Sequence, residues 1–419
     1  MTRNALEDAV GAMNDLNDNC LASEELRTKK TAFTRKRAIG ARKLLMLIMQ
    51  RIYMSLQLAI DEFFEFMDEN PVSKQAFSQA RAGLNPMYVR KYFDMSAEKF
   101  SVDETLARYR GRLLVAIDGT DIALENSEEL KQEFGCSGPD KNAATALASL
   151  AYDPINQVAL DCQIDRYGTS ERALATKHMD RLEELGVGDS ILVMDRGYPS
   201  VELIASIMRR GFSFVMRVKA KWDTAVDAVK TQGWREIEDG GVVYRVRVIK
   251  VRLATGEIET LLTDMDESQL SIGEAKFLYN LRWGIETNYD TLKSKLELEN
   301  FSGKTKTSVL QDFYATMFIL NLANAVASIS DGEIAAADQF KKLKYPRRAN
   351  RNRTIRKLRN DLLKLMLEPD PEMRSIRLDR IIRYITNRPL SVVRNRANAP
   401  PRKQPRKKRF YIAKKSVVR

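Results

Sequence analysis

Four residues able to bind phosphate or metal fall at helical spacing in YNLRWGIETNYDTLK, Tyr279 to Lys293. At about 100° per residue, Tyr279, Arg282, Glu286 and Lys293 lie within roughly 60° of one another on one helix, and Leu278, Leu281, Ile285, Leu292 and Leu296 line an adjoining apolar stripe. Such a helix buries one face and offers the other. A carboxylate there can hold a divalent metal, and the Arg, Lys and Tyr beside it can bind a phosphate backbone. Taken alone, the pattern equally describes an amphipathic helix with a solvated charged face. Two further carboxylates shift the balance. In LLVAIDGTD, Asp118 ends an apolar run before Gly119, and in ILVMDRGYPS, Asp195 ends another before Arg196 and Gly197. Runs of this length read as buried strands, whose ends lie at a sheet edge where a cleft forms. An Asp before Gly is also a common turn former.

The inventory leaves the chemistry to carboxylates. His178 is the only histidine, so a His-rich zinc site is excluded, and in its SERALATKH context it reads as a hydrogen-bonded helix residue. Cys20, Cys136 and Cys162 are far apart with no C-x-x-C pair, which points to a reducing compartment and no structural zinc. The net charge of +13 and pI near 9.5 favour an anionic polymer as partner, nucleic acid before membrane. Met1 to Asn19 is polar and acidic, unlike a secretory leader. Leu44 to Ile60 and Phe313 to Ile329 are apolar but interrupted by Gln50, Arg51, Asn321 and Asn324, so each is expected to be a buried helix and the protein soluble.

The elements that must position the acids follow from composition and periodicity. Residues 1–112 read as helical, with Ser73 capping a helix through Lys74, Gln75, Gln79 and Arg81, either in a helix-turn-helix or in a packed helical hairpin. The nearby basic run of Lys29, Lys30, Arg35, Lys36 and Arg37 slightly favours DNA. From 113 to 219 strands are expected near 113–118, 145–153, 157–164, 190–195 and 213–218, with helices near 170–185 and 200–211. That is the order of a ribonuclease H-like α/β fold, in which the first and fourth strands are neighbours and Asp118 meets Asp195. Residues 220–270 form a β-strand insertion, where alternation puts Arg245 and Arg247 on one face, solvated or DNA-binding, and Trp222 and Trp234 lie in or beside it. The core resumes at 271–335 with the glutamate helix. Residues 336–419 are a basic C-terminal region: YPRRANRNRTIRKLR at Tyr345 to Arg359, one or two helices within Asp361 to Asn387, and a mobile Pro-rich, basic tail containing PPRKQPRKKRF.

The spacing Tyr279, two residues, Arg282, three, Glu286, six, Lys293, taken with IDGT at Asp118 and DRGYPS at Asp195, resembles the DDE transposases of bacterial insertion sequences, of the insertion-sequence four type. SERALATKH at Ser170 to His178 and FVMRVK at Phe214 to Lys219 extend the likeness, as do FTRKRAIGARKL at Phe33 to Leu44 and SKQAFSQAR at Ser73 to Arg81, so it spans most of residues 30–335. The resemblance implies that Asp118, Asp195 and Glu286 are catalytic and bind Mg2+, with Mn2+ substituting. It implies that Tyr279, Arg282 and Lys293 grip the backbone of the element's end, with Arg245, Arg247, Lys74 and Arg81 as further DNA contacts. Double-stranded DNA, as terminal inverted repeats and as target, would be the partner of a dimeric synaptic complex in the bacterial cytoplasm, without a membrane role. Asp121, Glu274 and Asp290 are rival acids ranked below the named three. A ribonuclease H-like nuclease or recombinase without strand transfer, or a transposase derivative that only binds DNA, are the competing readings.

Overall fold

A computed structural model describes residues 1–50, 54–140, 142–252 and 256–392. The C-terminal tail expected to be a mobile arm, and Ala254 and Thr255 of the expected insertion turn, lie outside the described residues. Helices α1 (Arg3–Asp18), α2 (Ala41–Met49), α3 (Leu56–Phe66), α4 (Lys74–Ala82) and α5 (Pro86–Ser101) occupy the first hundred residues. There follow β1 (Leu114–Ala123), α6 (Glu128–Phe134), β2 (Cys136–Ser137), β3 (Ala143–Asp153), β4 (Val158–Arg166), α7 (Glu171–Glu184), β5 (Ile191–Met194), α8 (Val201–Arg209) and β6 (Ser213–Val218). Next come α9 (Thr224–Asp227), β7 (Gln232–Asp239), β8 (Val242–Arg252), β9 (Ile258–Thr263), α10 (Ile272–Leu281) and α11 (Trp283–Ser294). The last elements are α12 (Lys306–Asp338), β10 (Arg347–Arg348), α13 (Arg351–Leu367), α14 (Pro371–Thr386) and β11 (Leu390–Ser391).

Two compact units divide these elements. The first takes Met1–Thr105, Asp121–Ala146 and the described residues from Thr291 on; the second takes Leu106–Thr120 and Leu147–Asp290. At the centre of the first unit is α12, opened by a Thr305–Ser308 capping box and buried on nearly every side from Val309 to Ala327. By length and composition it alone among the described helices could cross a membrane, but 89% of its most apolar window is buried inside the protein. Helices α1, α5, α13 and α14 pack on it, and Tyr92 of α5 meets Phe318 edge-on at 5.8 Å. Its buried Asn321 donates to Ser96 Oγ at 3.2 Å, which satisfies a polar group in the apolar stretch. Leu44 to Ile60, expected as one buried helix, is instead divided between α2 and α3.

The second unit is built on a mixed sheet. Nine described strands run in the order β2-β3-β1-β5-β6-β9-β8-β7, with β4 also paired to β3; β2 and the outer ends of β1 and β3 belong to the first unit. Strand β1 pairs with β5 in parallel, Leu114 opposite Ile191 and Ile117 opposite Met194, and β5 pairs in parallel with β6. The four residues of β5 are all buried, as a strand covered on both faces requires. One expectation needs correcting: β1 does not stop at Asp118 but continues to Ala123, because β3 still pairs with it after β5 has ended at Met194. Strands β7 to β9, expected as an insertion, extend the same sheet through the antiparallel β6–β9 pairing, Val215 opposite Thr263.

Candidate active site

Parallel register places the first two acids side by side. Asp118 and Asp195 each follow the last pair of the β1–β5 register, Ile117 opposite Met194, at the point where β5 gives way to a loop. That loop is clamped from α7: Arg172 Nε donates to the Tyr198 carbonyl at 2.9 Å and Nη2 to the Pro199 carbonyl at 3.4 Å. The Asp195 carboxylate accepts the Gly197 N–H at 2.7 Å, and the Asp118 carboxylate accepts the Gly119 N–H at 2.9 Å. Asp118 is also held through its own carbonyl, which accepts Tyr289 Oη at 2.7 Å and Ser149 Oγ at 3.3 Å. Behind Ser149 lies the only histidine. His178 is fully buried, with Nε2 2.9 Å from Ser149 Oγ and Nδ1 2.7 Å from Asp161, so it is a hydrogen-bonded helix residue as its context indicated.

The helix carrying the third acid differs from the expected single rod. It breaks at Arg282, where α10 ends and α11 begins, and the first turn of α11 lies so close to Pro154 that a Cβ on Gly284 would come within 2.7 Å of the proline ring. The apolar stripe is as expected: Leu278, Ile285, Leu292 and Leu296 are fully buried. At the break, Arg282 joins the acids. Its Nη1 stands 3.4 Å from Asp118 Oδ2 and its Nη2 2.8 Å from Glu286 Oε1, while the Tyr279 ring lies 5.5 Å from the guanidinium. Its Nε is buried and has no hydrogen-bond partner. Tyr279 is itself 3% exposed, so in this arrangement it supports the guanidinium and does not present its hydroxyl to a ligand. Lys293 belongs to the first unit, where Nζ donates to the Asp121 carbonyl at 2.6 Å.

Burial is the strongest influence on the Asp118 carboxyl and pushes it up to about 7; Arg282 pulls it down, and the negative charges of Asp195 and Glu171 push it further up. Glu171 is the residue that sequence reasoning missed. Its carboxylate occupies the space that a side chain at position 119 would need, 2.5 Å from the place of a Gly119 Cβ, and lies 3.6 Å from that of Gly197. Gly119 and Gly197 therefore leave room for a fourth acid in the second unit. The signal was present as the acidic first-turn residue of SERALATKH.

Asp118 and Asp195 are hard oxygen donors whose mutual repulsion a divalent cation would relieve, so the donor chemistry fits a metal. As the side chains stand, however, no three acidic, His or Cys side chains among the described residues close on one point, since Glu286 is turned onto Arg282. Of the rival acids, Glu274 is committed to structure: it completes the capping box with Ser271, whose hydrogen bonds hold its carboxyl down at about 2. Two expected DNA contacts are corrected. Arg81 is 4% exposed and spends its guanidinium on Gln311, Ser302, the Ser308 carbonyl and Asp312. Arg247 is 2% exposed and donates to the Leu270 carbonyl and Gln232 Oε1, because from Val246 on β8 is covered on both faces. Arg245 remains exposed and stacks on Trp234 at 5.2 Å, and Lys74 is exposed at the start of α4.

The family model described as Transposase DDE domain matches residues 109–322, just over half of the chain and all three named acids. The chain belongs to the DDE transposase family. It is a DNA transposase, and enzymes of this kind work with divalent metal ions. No curated protein shows a significant sequence match to it. A solved structure described as the cryo-EM structure of a piggyBac transposase synaptic complex with hairpin DNA aligns over 96% of this chain and 86% of its own, at 12% identity and a TM-score of 0.46. Within the family match, the strand register brings Asp118 and Asp195 of the transposase together, and Arg282 ties Glu286 to Asp118.

Proposed function

We propose that the transposase is of the insertion-sequence four type, with a ribonuclease H-like core in which Asp118, Asp195 and Glu286 hold Mg2+ or Mn2+ to cut element ends and join them to target DNA. The observation that supports this most directly is the pairing of β1 with β5, which sets Asp118 beside Asp195 with Arg282 linking Asp118 to Glu286. When bound, divalent ions supply an activated water and stabilise the departing 3′ oxygen. Asp118, pushed up to about 7, would have to give up its proton to serve as a ligand. Glu286, now paired with Arg282, would turn to join the other two acids. The released guanidinium, backed by the Tyr279 ring, then offers its fork to the scissile phosphate.

In the first step water attacks phosphorus, the bond to the 3′ oxygen breaks, and that oxygen leaves as a hydroxyl. In the second, the 3′-OH attacks a target phosphodiester, forming a new P–O bond as the target's own 3′ oxygen departs. Lys293, the exposed Lys74 and the exposed Arg245 are proposed to contact duplex backbone. Two copies are proposed to pair the terminal inverted repeats in one synaptic complex, in the bacterial cytoplasm at the nucleoid.

The test uses duplexes from the DNA flanking the coding region. Asp118→Asn, Asp195→Asn and Glu286→Gln should each reduce Mn2+-dependent cleavage by at least about a thousandfold, with duplex binding changed little. Cleavage by all three variants at the native rate rejects the site. Cleavage without joined product in the native chain leaves a nuclease and removes strand transfer.

A further inference from the structure

The last fifty described residues of the transposase are strongly basic. Between Lys341 and Val392, sixteen Lys and Arg stand against five Asp and Glu, a local surplus of 11. From Lys341 to Asn360 there are ten such cations and no carboxylate. Internal pairing explains only part of this. Lys341 and Arg347 reach Asp338, Arg351 reaches Asp331, and Lys357 reaches Asp361. Arg348, Arg353, Arg356, Arg380, Arg383 and Arg388 are exposed.

Helices α13 and α14 bring these cations together. Arg353, Arg356 and Lys357 share one face of α13, and Arg380, Arg383 and Tyr384 share one face of α14, at the three- and four-residue spacings that make helical neighbours. The two faces meet at Tyr384. Lys357 Nζ lies 5.4 Å from the centre of its ring and the Arg388 guanidinium 4.2 Å, while Arg353 Nη1 reaches the Arg388 carbonyl at 3.4 Å. The opposite sides of both helices carry Ile355, Leu358, Leu362, Leu378, Ile381 and Ile385, all buried, so the cations stand on packed elements. Like charges held this close repel one another, and a polyanion relieves that repulsion.

We propose that the α13–α14 face grips the phosphate backbone of duplex DNA without reading its sequence. Arginine dominates the face and offers planar forks matched to phosphate oxygens. The grip rests on the protein being a DNA transposase, but not on the assignment of Asp118, Asp195 and Glu286.

The experiment compares two full-length variants that each lose three positive charges. Arg356→Gln, Arg380→Gln and Arg383→Gln remove exposed cations from the face. Arg42→Gln, Lys91→Gln and Lys304→Gln remove cations already paired with Asp18, Glu25 and Glu125. Binding to a random-sequence duplex is followed by fluorescence anisotropy from about 50 to 200 mM salt. The face variant should bind at least about tenfold more weakly at the low end, and its plot of log K against log salt should flatten by about 2 to 3, while the control changes by less than about twofold. Where the triple variant melts early, Arg383→Gln alone should flatten the slope by about 1. An unchanged slope, or equal losses in both triples, overturns the grip. Failure of the native chain to cut end DNA while the face variant still loses its salt slope would remove the carboxylate assignment and leave the grip standing.

Discussion

Arg81 and Arg282 are both buried arginines facing carboxylates, yet one network is closed and the other open. In the first unit, Arg81 fits between α4 and α12 with Nε on Gln311 Oε1 and Nη2 on both the Ser308 carbonyl and Asp312; the Asp312 carboxylate also accepts the Ser302 N–H. Gln311 returns a hydrogen bond to the Leu84 carbonyl at 2.7 Å, so the helices are tied in both directions. In the second unit, Arg282 is almost as buried, but its Nε has no partner and its contact with Asp118 is stretched to 3.4 Å. A satisfied guanidinium is a structural fastener. One with an idle buried donor and two competing acids is poised to change partners.

The largest expected effect comes from exchanging the two arginines' roles by mutation. Arg81→Met strands Asp312 as an uncompensated buried charge and should lower stability by about 3 to 5 kcal/mol, readable as a urea midpoint shift at constant m. Arg282→Met should cost far less stability, because it removes an incompletely satisfied ion and relieves little packing. It should nevertheless reduce end cleavage at saturating DNA by at least about a hundredfold, since in the proposed mechanism the lost interaction would be with the scissile phosphate. Equal stability losses at both positions would mean that Arg282 is a second fastener and that its idle donor has no consequence.

A second, smaller effect concerns pH. The Asp118 carboxyl holds its proton up to about 7 in the folded chain, against an ordinary value of 3.8. Between those values the folded state binds more protons than the unfolded, so the ion-free protein should lose stability as pH rises through that range. A ligating carboxylate must be deprotonated, so Mn2+ affinity measured by calorimetry should rise with pH, by up to about tenfold per unit, and level off above about 7. Proton release on binding should fall toward zero over the same interval. Glu171→Gln removes one charge that holds Asp118 up and should move the plateau to lower pH. A flat affinity from pH 5 to 8 would separate Asp118 from the ion.

The contrast also shows what a linear chain discloses. The order of the central strands, and the adjacency of Asp118 and Asp195 that follows from it, were legible because apolar runs report buried strands and strand order then constrains neighbours. The stripe of Leu278, Ile285, Leu292 and Leu296 was legible for the same reason. The break at Arg282 was not: it lies beside the close approach of Gly284 to Pro154, more than a hundred residues away in sequence, which no local pattern reports. Arg81 misled because its partners Ser302, Gln311 and Asp312 lie more than two hundred residues further on. The continuation of β1 past Asp118 depends on how long β3 keeps pairing with it, which the apolar run alone does not report. Glu171 escaped notice because an acid in the first turn of a helix already has an ordinary explanation in the helix dipole.

The smallest effects should appear on β8, where the closed and open cases are two residues apart. Alternation would give Arg245 and Arg247 the same environment, but Arg247 is buried on Leu270 and Gln232 while Arg245 lies exposed against Trp234. Arg247→Met leaves the Leu270 carbonyl and the Gln232 amide oxygen without a donor and should cost about 1 to 3 kcal/mol, with duplex binding by the folded fraction unchanged. Arg245→Met should leave stability within about 0.5 kcal/mol and flatten the salt dependence of end binding by at most about 1, the signature of one phosphate contact. A flattened slope for Arg247→Met with unaltered melting would reverse the distinction, because only a guanidinium that leaves its buried partners for DNA could produce it. Unchanged slopes for both variants would confine DNA recognition on this strand to residues other than Arg245 and Arg247.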